Sequence, residues 1–554
     1  MDMAMLPPPI PLSDLVSRQW DVVVIGTGIG GATLGYALAK AGRKVLFLER
    51  GSSYFSADAL TGNWLEALVK GQPDGPTPEQ RRLAGRLDKP IDDVTSGSGR
   101  AILPLLGIGT GGSSALYGMV MERFFPSDFQ PGRYFRDAPG ANVPDVWPVT
   151  FGEFEPYYAK AETLYGVRAT PDPFRPQGES CGTTIPPPLT PANREIFDAL
   201  ASKGLHPYRL PMACNFEPGC MECLGFVCAR QCKGDSVKAC LSPAVWLHGA
   251  DLVTDCEVET LEAKAGVVTG INAMVRGERI TIRAETVVLA AGAIHSPAIL
   301  LRSGEMPGLA NGSGQVGRNL MRHLTDYYLL YPRTAPNQGF LKQVAFNDFY
   351  ERNGTKYGTV QSNGRFPPNR SVAAYFRETM REIWEPLAVL FPVIRPFVER
   401  RVAQVVRDAH VMVAFLEDLP YAENRLALSP DGKGLRLTYK VGLNDRTRLR
   451  EFRRMMAQAI APKRFKAVRR AHDSKMLGHV CGTCRFGDDP NTSVLNRNNR
   501  AHDVSNLYVV DSSFMPTSGG TNPSLTIAAN ALRVADHILT ESGAAPAKSV
   551  AAAV

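Results

Sequence analysis

Residue types that could do chemistry are concentrated in two segments, a glycine-rich turn near the amino terminus and a cysteine-rich stretch in the middle. The turn, GTGIGG at residues 26–31, lies between an apolar run and a helical pattern. The stretch carries six of the ten cysteines within residues 214–240. Backbone amides of a glycine turn can cradle a pyrophosphate, and clustered thiolates can bind metal ions. We therefore predict a dinucleotide site and a candidate metal site.

Each part of the amino-terminal segment, Asp21–Gly51, has a physical role in such a dinucleotide site. Gly26 permits the tight turn, Gly28 lets the backbone approach a pyrophosphate, and Gly31 lets the helix pack closely on the strand. A second apolar strand ends at Glu49, close to the spacing of a carboxylate that binds ribose hydroxyls. This order of elements, a strand, a turn, a helix, a second strand and an acidic residue, predicts a Rossmann-type unit. The motif is compatible with either FAD or NAD.

The cysteine-rich stretch holds more thiols than packing alone explains. Cys223, Cys228 and Cys232 are our candidate metal ligands, for zinc or for an iron–sulfur cluster. Their spacing does not reproduce the ferredoxin patterns, so unligated thiols and disulfides remain open as well. Structural disulfides are not the default in a chain without an export signal. A separate CxxC at Cys481 and Cys484 is interpreted as packing.

Length and composition limit the class of protein. A chain of 554 residues predicts two domains, and 44% hydrophobic with 21% charged residues is typical of a soluble globular protein. The net charge is +8, and its densest basic stretch, residues 446–454, is interpreted as a solvated helix face. Because no basic stripe alternates with aromatic residues, we predict no nucleic-acid partner. The sequence shows no apolar run of about 18 residues and no secretory signal, so we expect a cytoplasmic protein.

Three further segments have a recognisable sequence. They are residues 109–119 (GTGGSSALYGM), residues 292–304 followed by 317–323, and the span 479–526, which contains HVCGT, VVDSSFMP and TNPSLT. Together with the amino-terminal turn, these segments resemble the glucose–methanol–choline (GMC) oxidoreductase family. The resemblance implies bound FAD and an α/β fold, in which a Rossmann-like FAD-binding domain is joined to a second, mixed α+β substrate domain built on an antiparallel sheet. It also implies hydride abstraction from a C–OH carbon.

The resemblance assigns the catalytic pair to His479 and Asn522. Hydride leaves a carbon readily only as its hydroxyl becomes alkoxide-like, so a base must receive the proton. A histidine, with an unperturbed pKa near roughly 6.5, suits that role close to neutral pH. The Asn522 amide can donate a hydrogen bond to the developing oxyanion and orient the alcohol.

The resemblance also assigns flavin contacts outside the amino-terminal turn, at Gly112, Ser113, Ser114, Tyr117 and Asp511. Many relatives carry Asn at the position of Tyr117, or a His joined covalently to the flavin. Tyrosine there argues against a histidyl bond and leaves a noncovalent contact or a tyrosyl link. We expect Asp511 to cap or orient the flavin end of the final helix, which Asn522-Pro523 opens.

The same resemblance suggests how the chain divides. The FAD-binding domain is expected to be discontinuous and the substrate domain to interrupt it, with short flexible tails at both ends. The predicted ranges are 18–140, 241–330 and 465–543 for the FAD-binding domain, 141–240 for a linker and cysteine-rich segment, 331–464 for the substrate domain, and 1–17 and 544–554 for the tails.

Within the substrate segment, Trp384–Val398 is apolar and interrupted by prolines, with Arg395, Arg400 and Arg401 nearby. One interpretation is a buried helix pair or lid. The other is an interfacial patch that makes peripheral contact with a membrane and loads a lipophilic alcohol.

The prediction is an FAD-dependent alcohol dehydrogenase or oxidase acting on a sugar or lipophilic alcohol. Oxygen, a quinone and a cytochrome partner remain open as electron acceptors. Some bacterial sugar dehydrogenases of the family carry an iron–sulfur cluster in a comparable region, which would relay electrons from the flavin. Two alternatives are a flavin-dependent lyase or decarboxylase on the same fold, and an electron-transfer subunit whose functional centre is the cysteine stretch.

Overall fold

The structure is a computed structural model. It describes residues 10–54, 56, 58–69, 76–97, 99–176, 179, 182–334, 339–365, 367–368, 372, 380, 391–460, 465–471 and 477–543.

The α-helices of these residues are, in chain order, α1 Leu12–Ser17, α2 Ile29–Lys40, α3 Leu65–Leu68, α4 Pro78–Leu83, α5 Gly132–Phe135, α6 Phe151–Tyr165, α7 Pro191–Ala201, α8 Ser242–His248, α9 Gly292–Arg302, α10 Phe391–Val406, α11 Leu443–Ile460 and α12 Ser524–Glu541. Short 3₁₀ turns cover Gly112–Ala115, Pro126–Phe129 and Ser512–Phe514, and a π-helical turn covers Val237–Leu241.

The strands are β1 Trp20–Ile25, β2 Val45–Leu48, β3 Ile91–Asp93, β4 Arg100–Ile102, β5 Val167–Arg168, β6 Tyr208–Arg209, β7 Met212–Ala213, β8 Asp251–Val253, β9 Cys256–Lys264, β10 Val267–Val275, β11 Glu278–Ile282, β12 Ala284–Leu289, β13 Leu324–Leu330, β14 Val344–Phe346, β15 Glu351–Arg352, β16 Thr355–Lys356, β17 Val360–Ser362, β18 His410–Leu416, β19 Arg425–Leu428, β20 Leu435–Thr438, β21 Phe465–Val468 and β22 Leu507–Val509.

The first sheet is parallel, in the order β22-β12-β1-β2-β8. Its central strand β1 is a continuous apolar run because helices must cover both faces of a parallel sheet. Val22, Val23 and Val24 are fully buried accordingly. Helix α2 follows β1 and packs against α12.

The second sheet is antiparallel, in the order β21-β13-β18-β17-β14-β6. Every residue of its strand β18 is buried, and the sheet contributes Tyr328, Phe346 and Met412 to a core separate from that of the parallel sheet. The predicted fold class, a Rossmann-like sheet with a second domain on an antiparallel sheet, is confirmed. The predicted domain limits at 330 and 465 fall at the end of β13 and the start of β21, which pair with each other.

A third sheet joins two predicted segments, because β3 and β4 lie beside β20 and β19 in the order β19-β20-β3-β4. Strand β3 runs parallel to β20, with Asp92 opposite Arg436. The exact division into domains stays a prediction.

Two sequence-based interpretations need correction. Residues 12–17, assigned to a flexible tail, form α1 because Leu15 is fully buried in the core of the parallel sheet. Residues 446–454 are not a uniformly solvated face. Arg448 is buried and donates to the carbonyls of Lys356 and Glu417, and Arg453 forms a two-pronged ion pair with Asp326.

Other predictions fall partly outside the described residues. Residues 1–9, 381–390 and 544–554 are not among them, so only Phe391–Val398 of the proposed interfacial segment can be located, at the start of α10. Among the described helices, none is both long and apolar enough to cross a membrane.

Candidate active site

The glycine turn joins the end of β1 to the start of α2. Gly26 has φ of +103°, a left-handed conformation that favours glycine. A Cβ at Gly30 would lie 2.2 Å from the Val510 carbonyl oxygen, and one at Gly31 would lie 2.1 Å from that of Gly26. A Cβ at Gly28, in contrast, would meet nothing within 4 Å. Packing therefore requires glycine at positions 30 and 31, because a side chain there would overlap the backbone. The space beside Gly28 is open.

Glu49 fastens the turn to two other segments. One carboxylate oxygen accepts hydrogen bonds from the Thr27 backbone and hydroxyl, and the other accepts from the backbone amides of Gly51 and Gly109. The Thr27 hydroxyl in turn accepts from the Gly111 amide at 3.1 Å. The structure therefore brings residues 26–31, Glu49 and residues 109–114 together, as predicted, while the ribose contact of Glu49 stays a prediction.

The predicted flavin contacts Ser113 and Ser114 also bond to protein atoms. Ser113 Oγ accepts from the Gly107 amide at 3.1 Å, and Ser114 Oγ lies 2.9 Å from Ser236 Oγ. The Ser236 hydroxyl donates to the Thr27 carbonyl at 3.0 Å. Thr27 and Ser236 were not predicted as site residues, because the hydrogen bonds that join Thr27 to Gly111 and Ser236 to Thr27 link residues more than 80 positions apart.

Tyr117 lies at the junction with the cysteine stretch. Its hydroxyl donates to the Gly234 carbonyl at 2.5 Å, and burial raises the phenol pKa well above its ordinary value, so the hydroxyl stays protonated. The buried Lys233 ammonium donates to the carbonyls of Ala115, Tyr117 and Phe226. Lys233, which the sequence did not single out, thus fixes the cysteine stretch to the segment around Tyr117.

Asp511 has a different structural role from the one predicted. It caps the 3₁₀ turn Ser512–Phe514 through the Ser513 amide, while Pro523 occupies the position before α12. Its other oxygen accepts from the Gly292 amide at 2.9 Å and from the Ser296 hydroxyl at 2.5 Å. The prediction that Asp511 caps the final helix is wrong, because its two oxygens accept from the Ser512–Phe514 turn and from the start of α9, and α12 has no side-chain cap. That Asp511 orients the flavin end of the final helix stays a prediction.

His479 and Asn522 are in contact. Asn522 Nδ2 lies 3.3 Å from His479 Nε2, and the Asn522 Oδ1 atom is buried without a hydrogen-bond partner among the described residues. His479 is partly exposed. Burial, followed by the effect of the neighbouring His323 ring, lowers the pKa of His479 to about 3. The imidazole is therefore neutral, as a proton acceptor must be, at any pH near neutrality.

A second histidine lies on the other side of His479. His323 Nδ1 is 2.9 Å from His479 Nδ1, and the two rings are almost perpendicular, at 89°. His323 Nε2 lies 3.1 Å from the Ser518 carbonyl oxygen and 2.9 Å from that of Gly519. His323 lay within a segment that carried the family resemblance but was not predicted as a site residue.

The loop that immediately precedes Asn522, residues 517–521, forms hydrogen bonds at every position. Thr517 accepts from the Trp147 indole, Ser518 donates to Asp418, and the carbonyls of Ser518 and Gly519 face His323. The Gly520 amide donates to the Tyr350 hydroxyl at 2.9 Å, and the Thr521 hydroxyl donates to Glu122 at 2.7 Å. This loop, which we call the asparagine loop, is held rigidly by buried side chains from distant segments.

The candidate metal ligands do not form a metal site. Cys223 packs against Trp64 and Phe226, and its thiol hydrogen bond lowers the pKa of Cys228 to about 4. Cys232 is buried in another small core cluster, beside Cys214. Within the part of the chain that the structure describes, no group of three or more His, Cys, Asp or Glu residues is arranged to hold a metal ion. The predicted iron–sulfur or zinc site is not supported.

The turn region, by contrast, fits a dinucleotide. Helix α2 begins after Gly28 without a side-chain cap and without an acidic residue in its first turn, so its positive end is free for a pyrophosphate. The open space at Gly28 admits such a group, whereas a side chain there would fill it.

Comparisons with known proteins identify the family. Two family profiles described as GMC oxidoreductase match residues 21–325 and 420–531. The chain belongs to the GMC oxidoreductase family, whose members bind FAD. It is an oxidoreductase that acts on the CH–OH group of donors.

Relatives agree over nearly the whole length. The chain is 30% identical to 2-methyl-1,2-propanediol dehydrogenase of Mycolicibacterium austroafricanum, over 94% of this chain and 95% of that protein. It is 29% identical to paromamine 6'-oxidase of Streptomyces fradiae, over 94% and 91%. The solved structure of pyridoxine 4-oxidase from Mesorbium loti shares the fold, with a TM-score of 0.61 at 20% identity, over 94% of this chain and 99% of that one.

Proposed function

We propose that the protein oxidises a hydroxyl group of a small polar alcohol to a carbonyl, with His479 as the base and Asn522 as the orienting donor. The observation that carries this proposal is the 3.3 Å separation of His479 Nε2 and Asn522 Nδ2. Nε2 can accept a proton, and Nδ2 is a hydrogen-bond donor. A substrate hydroxyl that replaces their direct contact donates its hydrogen to Nε2, while its oxygen accepts from Nδ2.

The alcohol loses a proton and a hydride in this reaction. The hydroxyl proton passes to His479 Nε2, which the depressed pKa keeps unprotonated beforehand. Asn522 stabilises the negative charge that develops on the oxygen. FAD, when bound at the glycine turn, supplies the hydride acceptor. Because the asparagine loop is anchored by Trp147, Asp418, Tyr350 and Glu122, the Asn522 amide needs little reorganisation when the charge forms.

The test is the rate of flavin bleaching by substrate without oxygen. We expect His479→Gln to lower the rate constant by about 10² to 10⁴, the usual value of a positioned base. Asn522→Ala should lower it by about 10² to 10³, as loss of an oxyanion donor does. Both variants should keep their FAD and be reduced normally by dithionite. His206→Asn, at a largely exposed histidine paired with Asp348, is the control that should match the wild type.

The substrate class follows from the relatives. One acts on a propanediol and another on paromamine, as their names state, so we propose a hydroxylated polar substrate such as a 1,2-diol or an amino sugar. A panel of diols, amino sugars, sugars and long-chain alcohols tests this directly. Bleaching by the long-chain alcohols alone would favour the lipophilic substrate and the interfacial segment instead. Failure of the whole panel would favour lyase or decarboxylase chemistry.

The electron acceptor is a separate question, because one relative is named a dehydrogenase and the other an oxidase. Rapid reoxidation of the reduced protein by air indicates an oxidase. Slow reoxidation by air with fast turnover by a quinone or cytochrome indicates a dehydrogenase.

A second candidate is an electron relay through the cysteine stretch. It is favoured by the 3.7 Å separation of the Cys214 and Cys220 sulfur atoms and by the contact of Cys223 with Cys228. It is opposed by the lack of a metal-holding group among the described residues. The absorption spectrum of protein purified without oxygen, taken before and after reduction, decides between them. An iron–sulfur cluster adds a broad absorbance beneath the flavin bands, and flavin alone has no such absorbance.

A further inference from the structure

We infer that His323 is a positioning residue that fixes the tautomer of His479, so that the lone pair of the base is on Nε2, the atom that faces Asn522. The inference rests on the proposed role of His479. It concerns the proton arrangement of the two rings before any substrate binds.

The first step is the position of the hydrogen on His323. Its Nε2 atom faces the carbonyl oxygens of Ser518 and Gly519, at 3.1 and 2.9 Å. A carbonyl oxygen can only accept, so Nε2 of His323 must carry a hydrogen. A neutral imidazole has one N–H, and Nδ1 of His323 is therefore an acceptor.

The second step derives the position of the hydrogen on His479 from that on His323. His323 Nδ1 and His479 Nδ1 are 2.9 Å apart, and one of them must donate. Since the His323 atom accepts, His479 Nδ1 carries the hydrogen and His479 Nε2 carries the lone pair. This arrangement agrees with the neighbour of Nε2, because the Asn522 amide can donate from Nδ2 to that lone pair. The whole chain of contacts is consistent with only this arrangement of neutral rings.

The third step concerns the proton that the base receives. Once Nε2 is protonated, His479 is a cation, and its Nδ1–H still donates to His323. The acceptor on His323 therefore stabilises the charged form that the reaction creates, in addition to orienting the ring. This role parallels that of a carboxylate behind a catalytic histidine, but with an imidazole polarised by two carbonyl groups.

The backbone around His323 is built to hold this geometry. His323 has φ of +59°, which is unusual for a residue with a side chain, and it is buried. The amides of Arg322 and His323 donate to the two oxygens of Asp418, at 2.9 and 3.0 Å. Asp418 also accepts from the Ser518 hydroxyl. One carboxylate thus fixes both the segment that carries His323 and the loop whose carbonyls His323 faces.

Two substitutions separate the two functions of the His323 ring. His323→Asn places an amide oxygen near the position of Nδ1 and keeps an acceptor for His479, but it loses the hydrogen bonds to the loop carbonyls. His323→Gln reaches those carbonyls with its amide group but leaves His479 Nδ1 without an acceptor. We expect His323→Gln to lower the rate constant of flavin bleaching by about 10²-fold, and His323→Asn by less than about 10-fold.

The direct measurement is ¹⁵N NMR of the holoenzyme labelled at histidine, with the His479 signals assigned by comparison with His479→Gln. In the wild type we expect a protonated Nδ1 and an unprotonated Nε2 on His479. In His323→Gln, we expect the protonated Nε2 form to become populated. Because this measurement needs no substrate, it tests the inference even where the proposed catalytic role of His479 fails.

Two outcomes would overturn the inference. One is a protonated Nε2 on His479 in the wild-type spectrum. The other is equal loss of rate in His323→Asn and His323→Gln, which would mean that His323 serves only to hold the asparagine loop. If either outcome is found and His479→Gln still loses activity, His479 remains the proposed base. Only the inference that His323 positions it is then rejected.

Discussion

His479 is bonded from two sides, by Asn522 at Nε2 and by His323 at Nδ1, and the chemistry depends on which nitrogen carries hydrogen. The glycines of the turn also have different roles, because each one has different neighbouring atoms. Gly30 and Gly31 lie against carbonyl oxygens, while Gly28 borders open space. Glycine at 30 is therefore needed for the fold, and we expect glycine at 28 to be needed for the pyrophosphate.

This difference gives a prediction at the residue scale. Gly28 has φ of −64° and ψ of −175°, which alanine also adopts, so Gly28→Ala should cost the apoprotein at most about 1 kcal/mol of unfolding free energy. Its methyl group fills the space expected for the pyrophosphate, and the ratio of FAD to protein after purification should fall severalfold. Absorbance at the flavin band and the thermal midpoint of the apoprotein measure the two effects.

Two further variants serve as references for Gly28→Ala. Gly152→Ala, in the open first turn of α6, should keep both FAD and stability. Gly30→Ala should lose stability by about 1 to 3 kcal/mol or fail to fold, since its methyl group would overlap the Val510 carbonyl. Full FAD content in Gly28→Ala would show that the pyrophosphate does not approach this residue.

At the scale of elements, the asparagine loop is the part of the site that needs the most support. It is placed by side chains from the segments around 122, 147, 323, 350 and 418. Tyr350 is central, because its hydroxyl accepts from the Gly520 amide and donates to Asp128 at 2.7 Å. Asp128 is itself paired with the fully buried Lys356. Rigidity of this loop keeps the Asn522 donor in position before the reaction begins.

We predict that Tyr350→Phe lowers the unfolding free energy by about 1 to 3 kcal/mol, because a buried amide and a buried carboxylate each lose a partner. The rate of flavin bleaching should also fall, by about 10-fold, with the FAD content unchanged. Urea unfolding and stopped-flow absorbance measure these quantities.

The matched control for this variant is Tyr357→Phe. Its hydroxyl donates to Glu451 on α11, away from the asparagine loop. Its cost should be about 1 kcal/mol, with the bleaching rate unchanged. An equal loss of rate in both variants would contradict a specific role for Tyr350.

At the scale of the whole molecule, two histidines with lowered pKa values make the folding stability depend on pH. His410 at the start of β18 is buried, and burial lowers its pKa to about 4. The unfolded chain therefore binds more protons than the folded one as pH falls from about 6.5 to 4, and folding stability is lost through that window. His479, with a pKa of about 3, acts in the same direction.

The corresponding prediction is that His410→Leu flattens this pH dependence. Between about pH 6 and 4.5, the slope of unfolding free energy against pH should be smaller than in the wild type by about 1.4 kcal/mol per pH unit. Between pH 7 and 8 the curves of unfolding free energy against pH should be parallel for the two proteins, since the histidine is neutral in both the folded and the unfolded state. Urea titrations across this range measure the difference, and parallel curves down to pH 4.5 would show that His410 is protonated in the folded state.

Local pattern was sufficient for the parts of the protein that are continuous in sequence. The apolar run of β1, the glycine turn and α2 follow one another without interruption, so their periodicity and spacing predicted the Rossmann unit and the cofactor turn. The family segments predicted His479 and Asn522 as a pair, and the structure brings them into contact. The cap role of Asp511 was predicted wrongly because a distance along the chain does not tell which helix start a side chain reaches.

Only the tertiary structure showed that His323 contacts His479 on the side away from Asn522. His323 and His479 are 156 residues apart, and they meet because Met321 and Cys481, each two residues from one of the histidines, pair in an antiparallel backbone bridge. Strand pairing of this kind depends on register and on burial of side chains from dispersed segments, which no local window contains. The sequence by itself therefore predicted the glycine turn and the proposed catalytic pair. The fold determined their hydrogen bonds, and with them the atom of His479 that is free to accept a proton.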